Sequence, residues 1–157
     1  MAQVTPYTNT AAIRGCLGID LQDCSDDTIL ESNLELELLV DLDGWLPTHA
    51  AIHAAGKVNT ATAEERHLWN VLQLYAQWFC AFEVVSRFML LPQIVTDGKN
   101  QLNRFPNVDL KDAKAEAAAR MAKYRGLLDE EVNGATAVSS LPLVAISTPA
   151  YDPVTNT

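Results

Sequence analysis

The sequence has few cysteines and no long apolar run. Its three cysteines, Cys16, Cys24 and Cys80, are odd in number and lack CxxC spacing, which favours a reducing compartment over a disulfide framework. No stretch reaches the ~18 uninterrupted apolar residues that a membrane span requires, and the first ten residues contain neither the basic nor the apolar segment of a secretory signal. We therefore expect a protein without a membrane partner that stays in the compartment where it is made.

Motifs that carry catalytic or cofactor chemistry are also missing. The chain has no GxSxG, no P-loop and no GxGxxG, so it offers neither a nucleophile elbow nor a glycine-rich cradle for phosphates. His49 and His53 are four residues apart, as two zinc ligands on a helix would be, but no HExxH and no third ligand accompanies them. The sequence therefore predicts no enzyme, no metal site and no cofactor. An enzyme that uses a buried Glu83 together with His67 is the remaining catalytic alternative.

Positive charge is absent from one long segment. Residues 15–56 contain no Lys or Arg but nine Asp or Glu, and these nine account for the whole formal net charge of −9. Residues 97–125, by contrast, contain seven Lys or Arg and four acids. The residues predicted to form an acidic surface are Asp26, Asp27, Glu31, Glu35 and Asp41.

Two interpretations of this asymmetry are open. The charged segments can be solvated helix faces that also pair within one fold. Alternatively, the acidic surface of one copy meets the basic surface of the next copy, or it lines a passage through which DNA slides without binding.

Capping signals and apolar periodicity predict a mainly α-helical bundle over residues 1–132. The 157 residues, 48% of them apolar, supply one core without disulfides. Residues 48–61 are predicted to form a loop or a loop with one helical turn, and residues 93–108 a long loop or a short hairpin. The four predicted helices span roughly residues 10–17, 26–44, 62–91 and 109–132.

The predicted helix ends follow from the residues that flank them. Side chains that cap N-termini precede each helix, and glycine follows the first and the last helix. Thr62 and Glu65 form a capping box. The other signals are Thr8 or Asn9, Gly18, Ser25, Asp109 and Gly134.

The third predicted helix is apolar around most of its circumference between Leu68 and Leu91. Such a helix must be surrounded, either by other helices of its own domain or by neighbouring subunits. We expect three further helices of modest length to cover it incompletely, which favours neighbouring subunits.

Residues 133–157 are predicted to form an extended C-terminal arm. The segment carries no charge except Asp152, and its aliphatic side chains favour strand addition to another chain or binding in a groove of a neighbour. A frayed terminus is the alternative. The residues predicted to bind a partner are Leu141, Pro142, Leu143, Val144, Ile146 and Tyr151.

The order of the predicted elements resembles that of a known protein family. A short capped helix ends in Leu17-Gly18-Ile19, and Ser25-Asp26-Asp27-Thr28-Ile29 opens a helix that closes at Trp45-Leu46-Pro47. A long aromatic-rich helix ends in Leu90-Leu91-Pro92, and a loop with Asp97-Gly98 and Arg104 precedes an Ala-, Lys- and Arg-rich helix at residues 113–124. Over residues 5–130 this order resembles the head-to-tail adaptor (connector or head-completion) proteins of tailed bacteriophages.

The resemblance implies a structural virion protein, made in the host cytoplasm and located in the neck. Proteins of that family are small helical bundles that assemble as a ring, most often of twelve copies, beneath the portal. The ring joins the portal to the next neck or tail protein and leaves a lumen through which DNA passes without specific binding. In this chain the arm would dock on the portal. A loop would contact neighbouring subunits or the tail-side protein through Asp97, Gly98, Lys99, Arg104 and Phe105.

Two other functions are compatible with the same features. A tail-completion or terminator protein would also form a ring, but it would bind the tail tube and not the portal. A small helical regulatory protein would bind one partner through the arm and would form no ring.

Overall fold

The computed structural model describes residues 2–30, 33–90, 94–97, 100–103 and 109–134. In this part of the chain, six helices and two antiparallel hairpins follow one another, so the predicted mainly α-helical bundle is confirmed. The helices are α1 (Thr10–Leu17), α2 (Asp26–Leu30), α3 (Leu34–Trp45), α4 (His49–Lys57), α5 (Ala63–Phe88) and α6 (Leu110–Asn133). The strands are β1 (Gln3–Thr5), β2 (Thr8–Asn9), β3 (Ile94–Asp97) and β4 (Asn100–Asn103).

Helix α1 begins and ends where its capping residues predict. The Asn9 side chain accepts a hydrogen bond from the backbone N–H of Ala12 at 3.0 Å. Gly18 ends the helix with φ 65°, in the left-handed region that costs a glycine little, and its N–H donates back to carbonyls of the last turn. The buried Arg14 side chain then ties α1 to α2 through a 2.6 Å ion pair with Asp26.

The prediction of one helix over residues 26–44 is wrong, because the structure has two helices there, α2 and α3. Ser25 does cap the first part, accepting from the Thr28 N–H at 3.2 Å. Asn33 then adopts φ 53°, a left-handed conformation that asparagine tolerates better than most residues, and α3 starts after it.

Helix α4 replaces most of the connection that was predicted as a loop or a single turn. It is nine residues long and packs on α5. Gly56 makes this packing possible, because a Cβ atom at that position would collide with the Trp69 side chain and would lie 2.8 Å from the Glu65 carbonyl oxygen. Four of its nine residues are alanine, the residue with the highest helix propensity, so its composition favours the helix that the prediction treated as a loop.

Helix α5 starts with the predicted capping box. The Thr62 N–H donates to Glu65 Oε2 at 2.7 Å, and the Glu65 N–H donates to Thr62 Oγ1 at 3.2 Å. The backbone hydrogen bond from Thr62, helped by the hydroxyl, holds the pKa of the Glu65 carboxyl below its usual range. The helix ends at Phe88, three residues before the predicted end.

The apolar surface of α5 is covered by this chain itself. Helices α1, α3, α4 and α6 all pack on it, as does strand β2. Helices α4 and α6 cover much of α5, but Leu74, Trp78 and Phe82 remain half-buried, so the expected need for neighbouring subunits stays a prediction. The buried residues of α5 are Val71, Leu72, Tyr75, Ala76, Phe79, Cys80, Ala81, Val84, Val85 and Phe88.

Helix α6 runs antiparallel to α5 after the β3–β4 hairpin. Asp109 caps it, accepting from the N–H groups of Lys111 and Asp112 at 2.8 and 3.3 Å, and Gly134 follows its last residue with φ 71°. These ends confirm the predicted helix, and the hairpin confirms the second of the two alternatives for residues 93–108.

Several predicted site residues lie outside the described part of the chain. Asp97 ends strand β3, but its side chain is not described. The others outside it are Glu31, Gly98, Lys99, Arg104 and Phe105, together with the arm residues Leu141, Pro142, Leu143, Val144, Ile146 and Tyr151.

We predict that Gly56→Ala lowers the free energy of unfolding by about 1–3 kcal/mol, because the added methyl group forces α4 away from α5. Urea denaturation measures the change. Gly15→Ala is the matched control, because a Cβ atom at Gly15 would meet no neighbouring atom within 4 Å. This exchange within a helix should leave stability unchanged or raise it by up to about 1 kcal/mol. Equal effects of the two substitutions would contradict the close packing at Gly56.

Candidate interaction surface

Helix α3 presents apolar side chains on two opposite faces. Its inner face is formed by Leu34, Leu38 and Leu42, which are fully buried. On the opposite face, Leu36 and Val40 lie one turn apart and are each 65% exposed. Most exposed aliphatic residues need no explanation, but two on one turn of a helix that already has a buried face form a small apolar patch.

The charged residues of α3 are all acidic. The helix contains Glu35, Glu37, Asp41 and Asp43 and no Lys or Arg. Asp43 falls one turn beyond Val40 on the same face, and its side chain is 71% exposed. We call Leu36, Val40 and Asp43 the outer α3 face. It is apolar in the middle and lies in a negatively charged environment.

The predicted acidic surface is divided by the fold. Asp26 is held by Arg14, and Asp41 accepts hydrogen bonds from Trp45 Nε1 at 3.0 Å and from the Tyr75 hydroxyl at 2.5 Å. Burial, strengthened by the Asp41 carboxylate, raises the pKa of Tyr75. Asp27 and Glu35 are exposed. Two of the predicted residues therefore hold the fold together, and two remain on the surface.

Cations of α6 cover aromatic rings of the neighbouring helices. Lys114 Nζ lies 5.1 Å from the centroid of the Phe82 ring, and the Arg120 guanidinium lies 5.9 Å from that of Trp78. Arg125 lies 4.7 Å from the Trp45 ring on α3. These distances are those of cation–π contacts, and the long side-chain stems shield half-buried aromatic residues from water.

The acidic and basic segments do not pair with each other within the described residues. No ion pair there joins residues 15–56 to residues 97–125; Glu37 instead binds Arg87 of α5 through both carboxylate oxygens at 2.7 Å. The hypothesis of pairing within one fold therefore has no support in the described part. Many of these charges are bonded elsewhere within the fold, whereas Asp27, Glu35 and Lys111 are exposed.

The outer side of α6 is lined by small residues. Ala115, Ala119, Ala122 and Gly126 recur at steps of four, three and four, all are exposed, and they lie opposite the buried Ala117 and Leu128. We call these four residues the outer α6 face. Its edges carry the exposed cations Lys111, Lys123 and Arg125, together with the acids Asp112 and Glu116.

His49 and His53 have a structural setting that the sequence did not reveal. The Tyr7 hydroxyl lies 2.5 Å from His49 Nδ1, and His49 Nε2 lies 2.9 Å from Asp43 Oδ1. With Nε2–H donating to Asp43, Nδ1 accepts from Tyr7. His53 Nδ1 accepts from Trp69 Nε1 at 3.2 Å. The two imidazoles thus fasten the N-terminal hairpin to α3, α4 and α5.

Burial shifts the pKa of two groups in this cluster, Tyr7 and His53, in the direction of their neutral forms. Burial, with a contribution from Asp43, raises the pKa of Tyr7. Burial, with a contribution from Lys57, lowers the pKa of His53. Nothing local signals these contacts, because Tyr7 and His49 are 42 residues apart in sequence. Within the described residues, no group of three or more His, Cys, Asp or Glu side chains is arranged to hold a metal ion.

The structure separates the residues of the catalytic alternative. His67 and Glu83 are sixteen residues apart on α5, which places their Cα atoms about 24 Å apart along the helix axis. His67 Nε2 instead lies 2.9 Å from Glu131 of α6, beside a groove of about 450 Å³ lined by Ala63, Glu64, His67, Leu68 and Glu131. His67 and Glu83 therefore cannot act on one reacting group.

Comparisons of the chain with protein-family models, curated proteins and solved structures return no match. In the described residues, no helix has both the length and the apolar character needed to cross a membrane. Function therefore has to be argued from the surfaces of α3 and α6.

We predict that Tyr7→Phe lowers the free energy of unfolding by about 1–2 kcal/mol, because it leaves the buried Nδ1 of His49 without its donor. Urea denaturation of Tyr7→Phe, His49→Ala and the double variant tests the bond. In the His49→Ala background, Tyr7→Phe should cost much less. Additive losses would show that the two side chains are not coupled.

Proposed function

We propose that this protein is a structural adaptor of a tailed-bacteriophage neck, which assembles as a ring between the portal and the next neck or tail protein. The observation that carries the proposal is the order of the helices, with a short capped α1, a long central α5 and an Ala-, Lys- and Arg-rich α6, which resembles the order in the head-to-tail adaptors. The domain also leaves an apolar patch exposed on α3, at Leu36 and Val40.

A ring requires two different surfaces on each copy. When one surface binds a different surface of the next copy, the contact is heterologous, and repetition produces a closed ring if the rotation per copy divides a full turn. A self-complementary patch would produce a two-fold dimer instead. A ring of twelve copies is what the family resemblance implies.

The net charge supports a role in which DNA passes without binding. A formal charge of −9 at pH 7, concentrated in residues 15–56, repels the phosphate backbone. A lumen lined by part of this segment would let DNA move through the ring, whereas a basic lumen would retain it.

The C-terminal arm is proposed to dock on the portal. Leu141, Pro142, Leu143, Val144, Ile146 and Tyr151 would supply its contacts, and the segment from Asp97 to Phe105 would contact a neighbouring subunit or the tail-side protein. No chemistry is assigned to the ring, which we propose to be non-enzymatic and without a cofactor.

We predict that the full chain binds the portal ring encoded in the same genome and adds a ring of density beneath it in negative-stain electron microscopy. Leu141→Asp with Leu143→Asp should abolish this binding, because it places charge in the proposed apolar contact. The control is Thr155→Asp with Thr157→Asp, which adds the same charge to the same segment.

The outcomes separate the candidate functions. Binding to a tail tube and not to the portal would identify a terminator. A chain that stays monomeric with both components, and binds some other protein through the arm, would contradict the adaptor.

A further inference from the structure

We infer that protonation of His53 releases the contact between α4 and α5, so that acid loosens α4 and the N-terminal hairpin while α5 and α6 stay packed. His53 is then an acid-sensitive switch, because one proton on its ring removes a hydrogen bond that the neutral ring accepts. The inference concerns the folded domain and does not depend on the proposed function.

The hydrogen bond with Trp69 fixes which nitrogen of His53 carries a proton. Trp69 Nε1 lies 3.2 Å from His53 Nδ1. An indole N–H can only donate, so Nδ1 is the unprotonated acceptor and the neutral ring carries its proton on Nε2. A second proton can bind only at Nδ1, where it would face the Trp69 N–H. Protonation of His53 and this hydrogen bond therefore exclude each other.

His49 provides a contrast on the same helix. Its Nδ1 faces the Tyr7 hydroxyl, which can accept as well as donate, and its Nε2 lies 2.9 Å from Asp43 Oδ1. A protonated His49 therefore keeps both contacts once the hydroxyl reverses, and it gains a carboxylate partner. Of these two histidines, His53 is the one that loses a bond when it is charged.

Ring contacts connect His53 to the N-terminal hairpin as well as to α5. The Tyr7 ring meets the His49 and His53 rings edge to face, with centroids 5.7 and 5.1 Å apart and interplanar angles of 83° and 86°. The Trp69 side chain, which receives no bond from a charged His53, also packs against Gly56 of α4. Loss of the bond between His53 and Trp69 therefore weakens the contacts of both α4 and the hairpin with α5.

The positive charges around His53 oppose its protonation. Burial, with a contribution from Lys57 one turn later on α4, lowers the pKa of His53. Arg66 of α5 donates to the Asn59 carbonyl just after α4 at 2.8 Å, so a second cation lies on the α5 side. On the hairpin side, burial raises the pKa of Tyr7, and its hydroxyl stays neutral.

The carboxylates on the surrounding elements are engaged by other donors. Asp43 of α3 is bonded to His49 at 2.9 Å, and Glu65 of α5 accepts from the backbone N–H of Thr62 at 2.7 Å. These two carboxylates therefore do not offset a charge on His53.

The direction of the pH effect follows from the lowered pKa. Because the pKa of His53 in the folded chain lies below its ordinary value of 6.5, the unfolded chain takes up the proton first as the pH falls. The stability that this site contributes is complete above about pH 6.5 and is lost as the pH falls from there towards the lowered pKa. Between about pH 7.5 and about pH 5.5, His53 alone should lower the folding equilibrium constant by up to about tenfold.

Nuclear magnetic resonance of the unsubstituted full chain tests the switch directly over the same pH range. We expect the indole N–H resonance of Trp69 and the amide resonances of α4 to move together with the His53 ring, at one midpoint below about pH 6.5. The Trp45 indole N–H, which donates to Asp41 at 3.0 Å, is the internal control and should not move, and neither should the amides of residues 112–124 in α6. A Trp69 indole resonance that does not follow the His53 ring would overturn the inference, as would a midpoint at or above about pH 6.5.

His53→Asn supplies a second measurement, because its amide oxygen can accept from Trp69 Nε1 but does not titrate. Urea denaturation at about pH 7.5 and about pH 5.5 should show a folding equilibrium constant that falls several-fold less in this variant than in the unsubstituted chain. His67→Asn is the matched control, because it removes an exposed histidine from α5, and it should retain at least the acid sensitivity of the unsubstituted chain. Equal acid sensitivity of His53→Asn and the unsubstituted chain would overturn the inference.

Discussion

Helix α5 has apolar side chains around most of its circumference, and the rest of the chain is arranged to cover it. Helices α1, α3, α4 and α6 approach it from different directions, and Gly56 allows α4 to come close. Because burial of apolar surface is the dominant favourable term in folding, these contacts decide where the other elements lie. The N-terminal hairpin is then fastened to the covering helices through Tyr7, His49 and Asp43.

The arrangement of the helices also determines where the charged side chains lie. Cations of α6 that lie beside α5 cover Phe82 and Trp78, so they contribute to the core boundary and not to ion pairs with the acidic segment. Three acids of α3 are also bonded within the fold, Asp41 to Trp45 and Tyr75, Glu37 to Arg87 and Asp43 to His49. The fold still leaves an apolar patch exposed on α3, at Leu36 and Val40.

The sequence predicted the elements whose ends carry a local chemical signal. Asn9 and Gly18 delimit α1, Thr62 and Glu65 open α5, and Asp109 opens α6. The left-handed Asn33 was missed because no local pattern reveals it, and the Tyr7–His49 contact because its partners are far apart in sequence. Helix α4 was missed although its four alanines favour a helix. Excess apolar surface was expected on α5, whereas Leu36 and Val40 of α3 are more exposed than the large apolar residues of α5, since amphipathic periodicity cannot show which faces the other helices cover.

The central claim is that the chain forms its own core around α5 and assembles through surfaces of the folded domain. Hydrogen–deuterium exchange of the full chain, read by mass spectrometry in the dilute and the assembled states, tests it most directly. The account predicts that α5 amides are already the slowest to exchange in the dilute state, and that assembly adds protection at the surface, as in α3. Protection of α5 that appears only on assembly would contradict the account.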